Sequence, residues 1–170
     1  MNPLSHQADS DNLAEIPAAI FLHQRNLPFS LFRHTSPPNS IEQAASERGQ
    51  TPDQVVRSIL FRIPSGEFLM VLVAGPVQIS WQTLRHYLGV FRLTMASHDE
   101  VLQITGSRPG AVSPFGLPAP LRILADQNVL RQDVLSFGSG VRGIAIIIKS
   151  ETLIKAIPAI EFGDFITSNT

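Results

Sequence analysis

Apolar positions follow two periods along the chain and divide it into helices and strands. Leu13, Ile16, Ala19, Ile20 and His23 share one helical face. Asn12 caps that helix in this reading, with Glu15 in the first turn and Pro17 soon after. It stops near Asn26, before Pro28. Residues 29–34 read as a short strand, and Ser36-Pro37-Pro38-Asn39 as a turn. Ser40 and Gln43 have the spacing of a capping box for a helix through Arg48, which Gly49 ends. The period becomes two over residues 55–63. Ser65-Gly66 marks a hairpin, and residues 68–74 return as its partner strand.

The second half continues in the same manner. Ser80 starts a helix through Leu88, with Gly89 as its stop, and residues 91–95 form a short strand. Ser97 and Glu100 make a second capping box for a helix through Ile104. Residues 104–118 then hold three glycines and three prolines, which exclude regular structure and predict a long loop of dictated shape. Strands are expected over 121–125, 133–137 and 142–149, with a turn at 126–128 and a glycine turn before the last. A short helix opens at Ser150-Glu151 and ends at Pro158. The mixed order predicts an α/β (mixed α+β) domain with a curled mixed sheet. The expected organisation is a flexible tail over 1–12, a single domain over 13–158 and a C-terminal tail over 159–170.

Composition narrows the classes. A hydrophobic fraction of 44% against 16% charged residues supplies a sizeable core and excludes disorder for most of the chain. There is no cysteine, which excludes disulfides, thiolate metal sites and a thiol nucleophile together. No apolar run approaches the ~18 residues of a membrane span. Residues 1–12 are polar and lack the features of a signal peptide, so a cytoplasmic location is expected. The net charge of −1 carries no signature, but its distribution does. Residues 57–149 hold nine Lys/Arg against five acids, and eight of the nine are arginine. Arginine suits bidentate contacts with phosphate or carboxylate; a solvated surface accounts for the same count.

Candidate chemistry is sparse. Val55, Arg57, Ile59, Phe61 and Ile63 share one face of their strand, and Arg57 is the only charge on it. Three environments suit it: an anionic ligand, an internal ion pair, or an end-of-strand position that reaches water. Gly138-Ser139-Gly140-Val141-Arg142-Gly143 matches G-x-G-x-x-G, but a strand follows where a dinucleotide site needs a helix. It reads as a hairpin loop. The five histidines, His6, His23, His34, His86 and His98, show no metal-binding spacing. No G-x-S-x-G elbow occurs. Trp81 and Tyr87 read as packing residues. No metal, cofactor or protein nucleophile is expected.

Three stretches resemble one family, the YbaK/prolyl-tRNA synthetase-associated domain or INS-like aminoacyl-tRNA deacylases. They are residues 40–49 with the strand Val55-Val56-Arg57-Ser58-Ile59-Leu60-Phe61; the loop Thr105-Gly106 through Gly110-Ala111-Val112-Ser113-Pro114-Phe115-Gly116; and the turn at Phe137-Gly138-Ser139 through Gly143. The likeness covers about residues 30–155. It implies a curled, barrel-like mixed β-sheet flanked by helices, and a trans-editing activity that hydrolyses the ester of a mischarged tRNA carrying a small amino acid. It implies translation fidelity as the role, the 3′ aminoacyl-adenosine end of tRNA as partner, and a synthetase as a further one. Arg57 would contact phosphate or ribose, with Gly110 and Ser113 as loop donors. His34, Ser58, Phe61, Thr105, Ala111, Val112, Pro114, Gly138 and Ser139 would bind substrate. A bound water or substrate hydroxyl would attack, so no protein nucleophile is required.

Two positions depart from the family pattern: Arg57 replaces its lysine, and Ala145 stands where some members carry aspartate. A non-catalytic module binding tRNA ends or nucleotides is the alternative. A purely structural domain would show no saturable tRNA binding.

Overall fold

A computed structural model describes residues 15–167. Among the described residues eight strands form two sheets, accompanied by five α-helices. In the first sheet, β1 (Ser30–Arg33), β7 (Ile144–Lys149) and β6 (Val134–Gly138) run in the order β1-β7-β6, all antiparallel. The second holds β2 (Val56–Arg62), β3 (Phe68–Ala74), β4 (Thr94–Met95), β5 (Arg122–Asp126) and β8 (Glu161–Gly163). Its order is β4-β2-β3-β5-β8, antiparallel from β4 to β3 and parallel from β3 to β8. A single parallel bridge, Val55 to Ser136, links the sheets just ahead of β2.

The mixed α/β architecture agrees with the sequence pattern, but the barrel-like closure does not. Neither sheet closes on itself. Closure needs the outer strands to pair, and the five-stranded sheet ends instead in a two-residue and a three-residue strand, too short to template a partner.

Strand β3 explains why the domain holds two cores. Every residue from Leu69 to Ala74 is buried, as expected of a central strand covered on both faces. Met70, Leu72 and Ala74 face one cluster with Leu135, Phe137, Ile146 and Ile148 of the small sheet. Leu69, Val71 and Val73 face the other, with Phe61, Leu84, Leu124 and Phe165. Helix α1 (Pro17–Gln24) covers the first cluster through Ala18, Ala19 and Leu22, and α5 (Ser150–Ala156) through Leu153 and Ala156. Helix α3 (Trp81–Leu88) covers the second through Leu84.

Several boundaries shift for identifiable reasons. Helix α1 begins at Pro17, where a missing N–H costs nothing; Asn12, Leu13 and the expected 1–12 tail lie outside the described residues. In α2 (Ile41–Glu47) Ser40 caps Gln43 N at 3.0 Å, but Gln43 Oε1 accepts from Asn39 N instead of Ser40 N. The Ser97–Glu100 box of α4 (His98–Thr105) forms in both directions. The strand expected over 91–95 shrinks to Thr94–Met95, and Phe91 is 85% exposed. Part of the region read as a C-terminal tail carries β8 and the buried Phe165, whose N–H donates to Asp126 Oδ1 at 2.7 Å.

Candidate functional site

A cleft of about 360 Å³ opens where the two sheets meet. Its walls come from four places: the proline turn at 37–39 with α2, the start of β2, the loop after α4, and the glycine turn between β6 and β7. The loop and the glycine turn lock together. Gly140 N donates to the Ala111 carbonyl at 2.8 Å. A Cβ on Gly138 would lie 2.2 Å from the Val112 carbonyl oxygen, so only glycine permits this approach. Phe115 anchors the loop in the first core, edge-on to Phe137 at 5.2 Å between centroids. Gly110 has φ +90° with open space where a Cβ would stand. It leaves the loop's backbone bare at the cleft wall.

Half of the residues expected at a site line this cleft and half do not. Arg57, Gly110, His34, Ser58, Val112 and Gly138 are on its surface. Phe61 is not: it is fully buried in the second core, edge-on to Trp81 at 5.2 Å. Thr105 is buried and donates to the Val101 carbonyl at 2.6 Å, fixing the end of α4. Ala111 and Pro114 are buried within the loop. Ser113 Oγ accepts from Phe115 N at 3.1 Å, which shapes the loop from within. Ser139 Oγ donates to the Ile144 carbonyl at 2.7 Å and accepts from Val141 N at 3.2 Å, which holds the glycine turn.

Arg57, the second residue of β2 and partly exposed at the cleft, pairs with no carboxylate among the described residues. Its Nε donates to the Gly75 carbonyl at 2.9 Å and its Nη2 to the Val77 carbonyl. Both acceptors are backbone groups of the segment joining β3 to α3. Burial pushes its pKa down. Its neighbour Ser58 has a buried Oγ with no hydrogen-bond partner among the described residues. Such a group is costly unless something else satisfies it.

The residue that sequence reasoning did not single out is Arg48, the C-cap of α2. Its Nε donates to His34 Nε2 at 3.0 Å and its Nη1 to Ser136 Oγ at 2.8 Å. Accepting at Nε2 places the His34 proton on Nδ1, which faces Glu47 Oε1 at 3.2 Å. Ser136 in turn donates to Gln50 Oε1 at 2.8 Å. Burial lowers the Arg48 pKa, and Glu47 opposes that shift. The only local signal was an arginine directly before the helix-ending Gly49. Its partners lie 14 and 88 residues away, beyond any local pattern.

Sequence comparison decides the family. The aminoacyl-tRNA editing domain matches residues 35–156. The chain belongs to the aminoacyl-tRNA editing domain family. The resemblance to the YbaK/prolyl-tRNA synthetase-associated group is thereby borne out. A proline--tRNA ligase of Staphylococcus aureus strain JH1 is 26% identical over 165 residues, taking in 94% of this chain and 28% of the ligase. One of Trichlorobacter lovleyi is 34% identical over 96 residues, 56% of this chain and 17% of the ligase. The chain thus spans less than a third of the length of these relatives. Among solved structures, one described as a candidate trans-editing enzyme for prolyl-tRNA synthetase superposes with a TM-score of 0.82 at 21% identity, covering 89% of this chain and 96% of that one. A protein of Marinobacter aquaeolei VT8, described as a candidate signal-transduction protein, shares the fold at a TM-score of 0.64 and 16% identity, over 88% of this chain and 31% of its own. In this editing domain the family match covers the cleft walls from the proline turn to β7. No helix among the described residues is long and apolar enough to cross a membrane.

Proposed function

We propose that the protein hydrolyses the ester of a mischarged aminoacyl-tRNA carrying a small amino acid, acting in trans. The observation that carries this reading is the cleft itself. Its lining includes the open Gly110 backbone, Ser58 with its buried, unsatisfied hydroxyl, and three arginines, with no carboxylate among its lining residues. An aminoacyl ester is already activated, so orientation and hydrogen bonds to the developing oxyanion supply much of the needed catalysis. Loop donors near Gly110 and the Ser58 hydroxyl are suited to that work. A water, oriented by the loop donors or by a hydroxyl of the substrate, attacks the ester carbonyl. The acyl–oxygen bond then breaks, releasing the amino acid and restoring the terminal hydroxyl of the tRNA. The 3′ aminoacyl-adenosine end is the partner in this reading, and a synthetase supplying the mischarged tRNA is a further one.

The test is amino-acid release from a panel of mischarged tRNAs by the intact chain. Release of at least one small amino acid faster than in buffer is expected. A panel in which every member is as stable as in buffer sinks the enzymatic reading. One observation favours the alternative, a binder of tRNA ends without hydrolysis: the Arg57 guanidinium is already committed to Gly75 and Val77. That alternative predicts saturable, salt-sensitive tRNA binding with no release.

A further inference from the structure

The position from which a cation is expected to reach substrate, Arg57, spends two of its donor nitrogens on backbone carbonyls. The cleft nevertheless holds two other arginines, Arg48 at the end of α2 and Arg142 on the glycine turn. They differ in how they are held. Arg142 is exposed on the glycine turn and pairs with no carboxylate among the described residues. Arg48 is half-buried and fixed at two nitrogens by His34 and Ser136. Neither of those acceptors is an anion in the arrangement described. The nearby Glu47 is engaged by His34 Nδ1, not by Arg48.

A guanidinium carries five N–H groups. Two of those on Arg48 are used, which leaves three, including both on Nη2. A partly buried cation without a direct anionic partner is unfavourable unless a ligand completes it. The clamp also removes much of the side-chain entropy that ordering a free arginine costs on binding. We infer that Arg48, positioned by His34 and Ser136, is the anion-binding residue of the cleft and takes a phosphate group of the bound nucleic-acid end. The choice of phosphate over carboxylate rests on the editing reading. An aminoacylated tRNA end has its amino-acid carboxyl tied up in the ester, while the adjoining phosphodiester keeps its charge. The planar fork of arginine fits two phosphate oxygens at once.

The test compares adenosine 5′-monophosphate with adenosine as probes of the intact chain, by calorimetry or amide chemical shifts. The wild type is expected to bind the monophosphate about tenfold more tightly, the scale of one charge-assisted contact. Raising salt should shrink that preference. Arg48→Gln should reduce that preference, read as the ratio of monophosphate to adenosine affinity in the same variant, to within about twofold. A preference that survives intact in Arg48→Gln, or is missing in the wild type, overturns the assignment. Should Arg48→Gln fail to fold, Arg48→Lys serves. It keeps the charge but loses the fork, and a preference lowered at least about threefold is expected. An undiminished preference there also counts against the inference. Acetate that displaces the monophosphate as well as inorganic phosphate does would reassign the site to carboxylates. The mischarged-tRNA panel separates the two claims. Loss of phosphate preference in Arg48→Gln without wild-type hydrolysis supports Arg48 and sinks the enzyme. Wild-type hydrolysis with the preference intact in Arg48→Gln does the reverse.

Discussion

At the scale of single residues, two positions decide how the cleft is built. Gly138 allows the glycine turn to press against the loop, with no room for a Cβ beside the Val112 carbonyl. Gly138→Ala should therefore destabilise the fold by about 1–3 kcal/mol, as overpacked sites do, and lower ligand affinity with it. Thermal unfolding beside a binding titration measures both; an unchanged melting temperature would show that the turn yields. Arg57 decides the other wall. Its two carbonyl contacts tie β2 to the segment after β3, a task a lysine ammonium cannot repeat with the same geometry. Arg57→Lys should cost about 1–2 kcal/mol in a denaturant titration. A neutral result would mean the contacts contribute no net stability. The Arg57 partners were illegible in the sequence because carbonyls 18 and 20 residues away carry no side-chain signature.

At the scale of elements, β8 is the informative case. Its three residues have no strand-like run of their own, yet they pair in parallel with β5 through Leu124, Ala125 and Asp126. Tertiary context forms this strand: Phe165 fills the second core, and Arg122 holds Glu161 through two hydrogen bonds at 2.7 and 2.8 Å. Phe165→Ala should cost about 3–5 kcal/mol, which equilibrium unfolding would reveal. The Arg122 hydrogen bonds hold the Glu161 carboxyl below its ordinary value of 4.5. A carboxylate with a depressed folded pKa adds stability above its unfolded pKa and loses it as pH falls through the folded one. Acid therefore weakens the β5–β8 edge below about pH 4.5. Glu161→Gln should flatten that acid limb, by a small amount because the pair is exposed; a limb of unchanged slope would place the dependence elsewhere. By contrast, the helices α3 and α4 were legible almost residue by residue. Their Ser80 and Ser97 caps and their glycine stops are local chemistry, readable without the fold.

At the scale of the whole molecule, the sequence carried the layers but not their junction. Alternation and glycine punctuation predicted a mixed sheet with helices, and the long loop after α4 stood out by composition. Neither shows that the strands divide into two unclosed sheets meeting at Val55 and Ser136. That junction makes the cleft, and it brings Arg48 to Ser136 across 88 positions. The resemblance named the correct family, while the distribution of charge inside the cleft emerged only from the packing. In the proposed function the aminoacylated end of tRNA occupies this cleft. A stable amide analogue of aminoacyl-adenosine, titrated into the intact chain while backbone amide resonances are followed, tests it most directly. Saturable shifts at Ser58, Gly110, Val112 and Gly138 are expected. Saturable shifts confined to another face, such as that around Trp81 and Phe91, or no saturable shift at all, would contradict it.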